Sequence, residues 1–112
     1  MMRESAHIVV ERNTTWEGEA ASEPYEVGWA KEAILFVQVL APAEHQYPAQ
    51  VRVQLSPDGI HWCDEGTRFD LPSSPGDVVC ARVAHFGGWL RLAVSMKKSV
   101  STRVLVSLHL KG

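Results

Sequence analysis

The stretch Val51-Arg-Val-Gln-Leu-Ser-Pro-Asp-Gly-Ile-His-Trp62 reads as a β-hairpin. Val51, Val53 and Leu55 alternate with Arg52 and Gln54, the period-2 pattern of a strand with one face in the core. Ser56-Pro57-Asp58-Gly59 then spells a turn. Pro57 pre-sets φ at the first central position, Asp58 suits the second, and Gly59 takes positive φ without steric cost. Ile60 and Trp62 are expected to open the return strand, which would end near Glu65, with Trp62 anchored in the core beside its own turn. Each marked residue of the motif thus has a structural task, and none is a catalytic group.

Outward from this hairpin the same grammar repeats. Residues 1–12 read as a first strand, and the polar run Asn13 to Pro24 as a loop. Tyr25 to Trp29 forms a short strand. Residues 33–40, Ala-Ile-Leu-Phe-Val-Gln-Val-Leu, are almost wholly apolar and fit a strand covered on both faces. A helix is the competing reading there, but the β-branched and aromatic content and the nearby Pro42 favour a strand. Ala41 to Gln50 and Gly66 to Gly76 are expected connections, and Lys97-Lys98-Ser99 a charged turn. Val78 to Ala84, Trp89 to Val94 and Arg103 to Leu110 complete the set. In the last two, Leu90, Leu92, Val94, Val104, Val106, Leu108 and Leu110 point inward. Short strands separated by turn signals at this spacing suggest an antiparallel all-β sandwich or barrel of about eight strands, with a jelly-roll-like sandwich as the expected fold. The chain has the size of one domain. Within it, residues 1–24 form a strand or arm with a polar loop, and residues 25–112 the sandwich core.

The charge of −2 over 112 residues offers no basic excess for nucleic acid. Charge is nevertheless uneven. Residues 1–50 carry three Lys/Arg against eight glutamates, and residues 51–112 eight Lys/Arg against five acids. The halves solvate separate faces or meet across a subunit contact. Ile8-Val9-Val10 is too short for a signal core or a membrane span, so synthesis in the cytoplasm is expected, with final residence in a virion or other particle as an option.

Candidate chemistry is sparse. His61-x-Cys63 and Cys80-x4-His85 are the only metal-like set, and they lack the tight Cys-x-x-Cys knuckle of a zinc site. Free, buried thiols are the expected state of Cys63 and Cys80. The carboxylates Asp58, Asp64, Glu65, Asp70 and Asp77 fall on turns, loops and strand ends rather than as a facing pair. No nucleophile elbow or phosphate-cradling glycine loop is present. These readings predict no enzyme activity and no cofactor. The aromatics carry more promise. Trp16, in a polar loop, and Trp89, on the outward parity of its strand, are candidate ligand or interface residues, joined by Tyr25 and Arg91.

Ser56-Pro-Asp-Gly-Ile-His-Trp62, followed by Gly66-Thr67, resembles the S-x-D-G-x-x-W hairpin of small β-sandwich proteins from phage and phage-like gene clusters. Gly88-Trp-Leu-Arg-Leu92 and the closing Val104 to Gly112 resemble later strands of the same proteins. There is a weaker similarity to discoidin-like carbohydrate-binding sandwiches. The resemblance, which spans about residues 25–112, implies a non-enzymatic structural protein that self-associates or decorates a larger particle; residues 1–24, polar enough to be ordered only by a partner, are the expected arm. Its alternative is a carbohydrate-binding module using exposed tryptophans. Partners are thus expected to be further copies, a particle protein or a glycan, and neither nucleic acid nor membrane.

Overall fold

The structure, a computed structural model, describes residues 4–41, 49–72, 74–96 and 101–112. The connection read at 42–48 and the charged turn at 97–99 lie outside the described residues. All regular structure among the described residues is strand: β1 (Ser5–Glu17), β2 (Glu19–Ala21), β3 (Tyr25–Glu26), β4 (Glu32–Val39), β5 (Gln50–Ser56), β6 (Cys63–Asp70), β7 (Val78–Ala84), β8 (Trp89–Ser95) and β9 (Ser101–Lys111).

These strands form two antiparallel sheets. The first has the order β1-β9-β4-β7, and the second β2-β8-β5-β6 with β3 also paired to β8. Taken as two pieces of one strand along β8, β2 and β3 bring the count to eight, and consecutive strands then alternate between the sheets in jelly-roll order except for β5 and β6, which pair within the second sheet. Ser22 bridges the interruption. Its backbone N–H donates to Leu92 O at 2.8 Å, and its hydroxyl accepts from Leu92 N–H at 2.9 Å. Ser22 backbone and side chain thus satisfy both the C=O and the N–H of Leu92 where the ladder is interrupted.

Alternation decides what is buried. Leu35, Val37, Val104, Val106, Leu108 and Leu110 of the first sheet face Val51, Val53, Leu90, Leu92 and Val94 of the second. Burying a side chain of this size contributes about 1.5–3 kcal/mol, so these two rows dominate cohesion. Sheet-on-sheet packing of this kind is the sandwich that the alternation indicates.

Three local readings change. The run Asn13 to Glu17 is not a loop but the second half of β1, paired with β9 through Glu17↔Ser101. Register shifts between Val9 and Glu11 and between Glu11 and Thr14 bend this strand. The Glu11 carboxylate braces the bend, accepting from Thr14 Oγ1 at 2.6 Å and from Glu23 N–H at 2.8 Å. Residues 5–17 therefore lie along β9 of their own chain. Second, the return arm of the opening hairpin starts later and runs further than expected. Ile60 is 74% exposed, the strand begins at Cys63, and residues 66–70, read as loop, continue it. Third, β4 is covered on one face only. Its Ala33, Leu35, Val37 and Val39 are buried, whereas Ile34, Phe36 and Gln38 are half-buried on the outer face of the first sheet.

Candidate functional site

The turn after β5 is built on two side chains. The buried Ser56 Oγ accepts from Gly59 N–H at 2.8 Å and Asp58 N–H at 3.2 Å, and donates to Asp58 Oδ1 at 3.0 Å. The same Oδ1 accepts from Ile60 N–H and His61 N–H, each at 2.8 Å. Asp58 Oδ2 meets His61 Nδ1 at 2.7 Å. Hydrogen bonds from the His61 backbone, then its ring, then the Ile60 backbone hold the Asp58 carboxyl far below the usual carboxylate range. Gly59 sits at φ +80°, with the Trp89 ring packed where its Cβ would be. Pro57, Asp58 and Gly59 are thus fully engaged in architecture, and His61 is Asp58's partner.

Trp62 is not a core anchor. It is half-buried on the outer face of the second sheet, where the Arg91 guanidinium lies 4.3 Å from its ring centroid. Trp89, also half-buried, caps Gly59. Trp16 is the clearest correction. It is 1% exposed in the core, and no face of it is free for a ligand. The bend in β1 turns this residue inward opposite Thr102. Tyr25, 37% exposed, lies on β3 opposite Leu90.

Both thiols are free, as read, but exposed rather than buried. Cys63 belongs to β6 in the second sheet and Cys80 to β7 in the first, so the two do not share a ladder. His85 occupies a left-handed turn position, φ 57°, after β7. The structure does not draw His61, Cys63, Cys80 and His85 into one cluster; among the described residues no group of three or more His, Cys, Asp or Glu converges.

Sequence reasoning missed the outer face of the first sheet. In register across four strands lie Val9, Ser107, Phe36 and Cys80. On one side is the row His7, His109, Ile34 and Arg82, and on the other Leu105, Gln38 and Val78. Val78 is 54% exposed and Val9 39%. The His7 ring stacks on His109, and Phe36 meets His109 edge-on. Burial, followed by the neighbouring His7 and Lys111, holds His109 below its usual value and so favours neutral imidazole. The central row carries no charge. The signal was present in residues 33–40, whose apolar content demands cover on both faces, while this chain supplies only one.

The outer face of the second sheet has the opposite character. Arg52, Gln54, Asp64, Arg68, Arg91, Ser95 and Glu19 line it in a hydrogen-bonded mesh. Among the described residues no helix is long and apolar enough to cross a membrane.

No family model matches this chain, and no curated protein does. Solved structures do. The SPBc2 prophage-derived protein YomS superimposes with a TM-score of 0.61 at 9% identity, over 100% of this chain and 96% of that one. A structure titled for Bacillus endospore appendages that form a novel family of disulfide-linked pili superimposes at 0.55 with 9% identity, covering 97% of this chain and 86% of that one. At these identities the likeness establishes a shared fold, the all-β sandwich.

Proposed function

We propose that this protein is a non-enzymatic structural subunit that associates with further copies of itself, as a component of a phage-like particle or appendage. The observation that carries the reading is the uncharged row Val9–Ser107–Phe36–Cys80 on the open face of the first sheet. With the half-buried Phe36 and the exposed Val9 and Val78 of the flanking strands, it leaves apolar surface open on this face, and surface of that kind marks an interaction site. The size of the whole four-strand face, its charged flank included, fits reversible contact with a second copy. Four strands about 4.8 Å apart and about seven residues at about 3.4 Å each make a footprint on the order of 450 Å². Two such faces stacked would bury about 900 Å², just below the roughly 1,000 Å² expected of a stable specific complex. An isologous twofold lays the apolar row of one copy on that of the other at ordinary sheet-on-sheet spacing. The prophage origin of one similar structure and the pilus assembly of the other support the reading by analogy of fold.

Light scattering over a concentration series tests it. A mass that rises to a discrete oligomer is expected, and Val78→Lys and Phe36→Lys should shift it to monomer with unchanged circular dichroism. Val78 is exposed enough that its replacement leaves the fold intact. A wild-type monomer at every concentration, or a Val78→Lys oligomer equal to wild type, overturns the proposal.

A further inference from the structure

The polar outer face of the second sheet holds an arrangement that association through the first sheet does not use. Arg91 on β8 and Arg52 on β5 flank an open concavity of about 290 Å³, lined with them by Glu19, Ala21, Gln54 and Ala93. The two arginines come from adjacent strands, with Gln54 opposite Arg91 and Arg52 opposite Ala93. Arg91 is held rigid. Its Nε donates to Gln54 Oε1 at 2.8 Å, and its guanidinium plane covers the Trp62 ring. Gln54 is held in turn by donating to Asp64 Oδ1 at 3.0 Å. Arg52 Nη1 donates to Ser95 Oγ at 3.1 Å, and that hydroxyl donates to Glu19 Oε2 at 3.1 Å.

The charges here do not balance. Asp64 lies 3.8 Å from Arg52 Nε and 4.0 Å from Arg68 Nη2, so one carboxylate is shared between two guanidiniums. At 3.8 Å the Arg52 contact is an ion pair too long for a hydrogen bond, and Arg52 Nε is buried without an acceptor. Arg91 has no carboxylate within ion-pair distance among the described residues. Burial and the charge of Arg52 also make its cationic form harder to keep. Arg52, Arg68 and Arg91 against Asp64 and Glu19 leave one positive charge, which a single monoanion would neutralise.

We infer that this concavity binds a carboxylate-bearing sugar of the hexuronate class, its carboxylate between Arg52 and Arg91. Paired guanidiniums present forked donors that match the two oxygens of a carboxylate. The apolar floor of Ala21 and Ala93 suits the CH face of a pyranose ring. Glu19 lines the concavity and can accept a sugar hydroxyl. Glu19 also selects against dianions such as phosphate and against runs of acidic peptide, because a second negative charge would face its carboxylate. The inference stands apart from the assembly reading, since it uses the opposite face of the sandwich.

The experiment is a titration of the full chain with glucuronate, followed by NMR of the Trp62 indole and arginine side-chain resonances. Glucose and N-acetyl-aspartate amide serve as comparison probes. Glucuronate should give saturable shifts at Trp62 and Arg91; glucose, which lacks the carboxylate, should be weaker by about tenfold, the worth of one lost charged contact, and the aspartate derivative, which keeps the carboxylate but lacks the ring, should also be weaker. Arg91→Gln and Arg52→Gln should each weaken glucuronate by a similar factor while leaving the fold and the solution mass unchanged. Arg103→Gln, on the other sheet, should have no effect. No saturable shift with glucuronate, or equal binding by Arg91→Gln, overturns the site. Equal binding of the aspartate derivative assigns it to a protein carboxylate and overturns the sugar.

Discussion

The rings of His7 and His109 stack with centroids 4.0 Å apart, and Phe36 meets His109 edge-on at 5.0 Å. Two imidazoles thus lie together on the open face of the first sheet, and burial and then the neighbouring His7 oppose a proton on His109. Lys111 adds to the repulsion from the same strand, and Arg82 closes the row on β7. Folding lowers the His109 pKa below its ordinary 6.5. The unfolded chain then binds protons more readily than the folded one as pH falls below that value. Stability should be flat above about pH 7 and fall as pH drops through the region below 6.5. Urea midpoints measured from pH 8 to pH 5 check this, with His109→Gln flattening the profile. The oligomer proposed through the same face should also dissociate in that window, because protonation puts charge on an apolar contact.

A second pH effect lies lower and on the other sheet. Asp58 in its ionised form accepts from two backbone N–H groups, Ser56 Oγ and the His61 ring. Its folded pKa is depressed, so its contribution is present above about pH 4 and is lost as pH falls further. Asp58→Asn should lower the urea midpoint at neutral pH without changing the slope, and should narrow the gap from wild type as both are taken to acid.

The tryptophans should separate sharply on substitution. Trp16→Ala removes a ring buried among core side chains and should cost about 3–5 kcal/mol. Trp62→Ala removes a half-buried ring on the outer face, with the Arg91 contact worth about 0.5–1 kcal/mol. Denaturation curves for the two variants rank them, and equal losses would contradict the burial described above.

Gly59 is constrained twice. At φ +80° any other residue is strained, and a Cβ there would sit 3.1 Å from the Trp89 ring. Gly59→Ala should destabilise by about 1–2 kcal/mol from the backbone alone, with more from the ring. Combining it with Trp89→Ala should recover the steric part and leave the backbone part, so a double-mutant cycle gives a favourable coupling. Strict additivity would show that the ring yields freely.

The hairpin was legible because a turn is local. Ser56, Asp58 and Gly59 satisfy hydrogen bonds and φ requirements within a few residues. The alternation of Trp89 to Val94 and of Arg103 to Leu110 likewise named the inward faces correctly, since period-2 burial depends only on the strand's own pleat. Trp16 was misread for a related reason. A polar run with a glycine resembles a loop until β9 is beside it, and the two register shifts that turn Trp16 inward arise only in the pairing. Trp62 was misplaced because the turn runs to His61, which moves the start of β6 and leaves the ring on the outer face.

What the sequence alone determined is an antiparallel all-β domain of alternating short strands with a Ser-Pro-Asp-Gly turn. The physical basis is local: side-chain alternation, proline and glycine dihedrals, and short-range hydrogen bonds. Tertiary structure decided what lies on the two outer faces. Val9, Ser107, Phe36 and Cys80 become one row, and Arg52 and Arg91 flank one concavity, only when strands distant in the chain are set side by side in a particular register. A one-residue slip would send each of these side chains to the opposite face, so the pairing, rather than composition, determines which surfaces the protein presents.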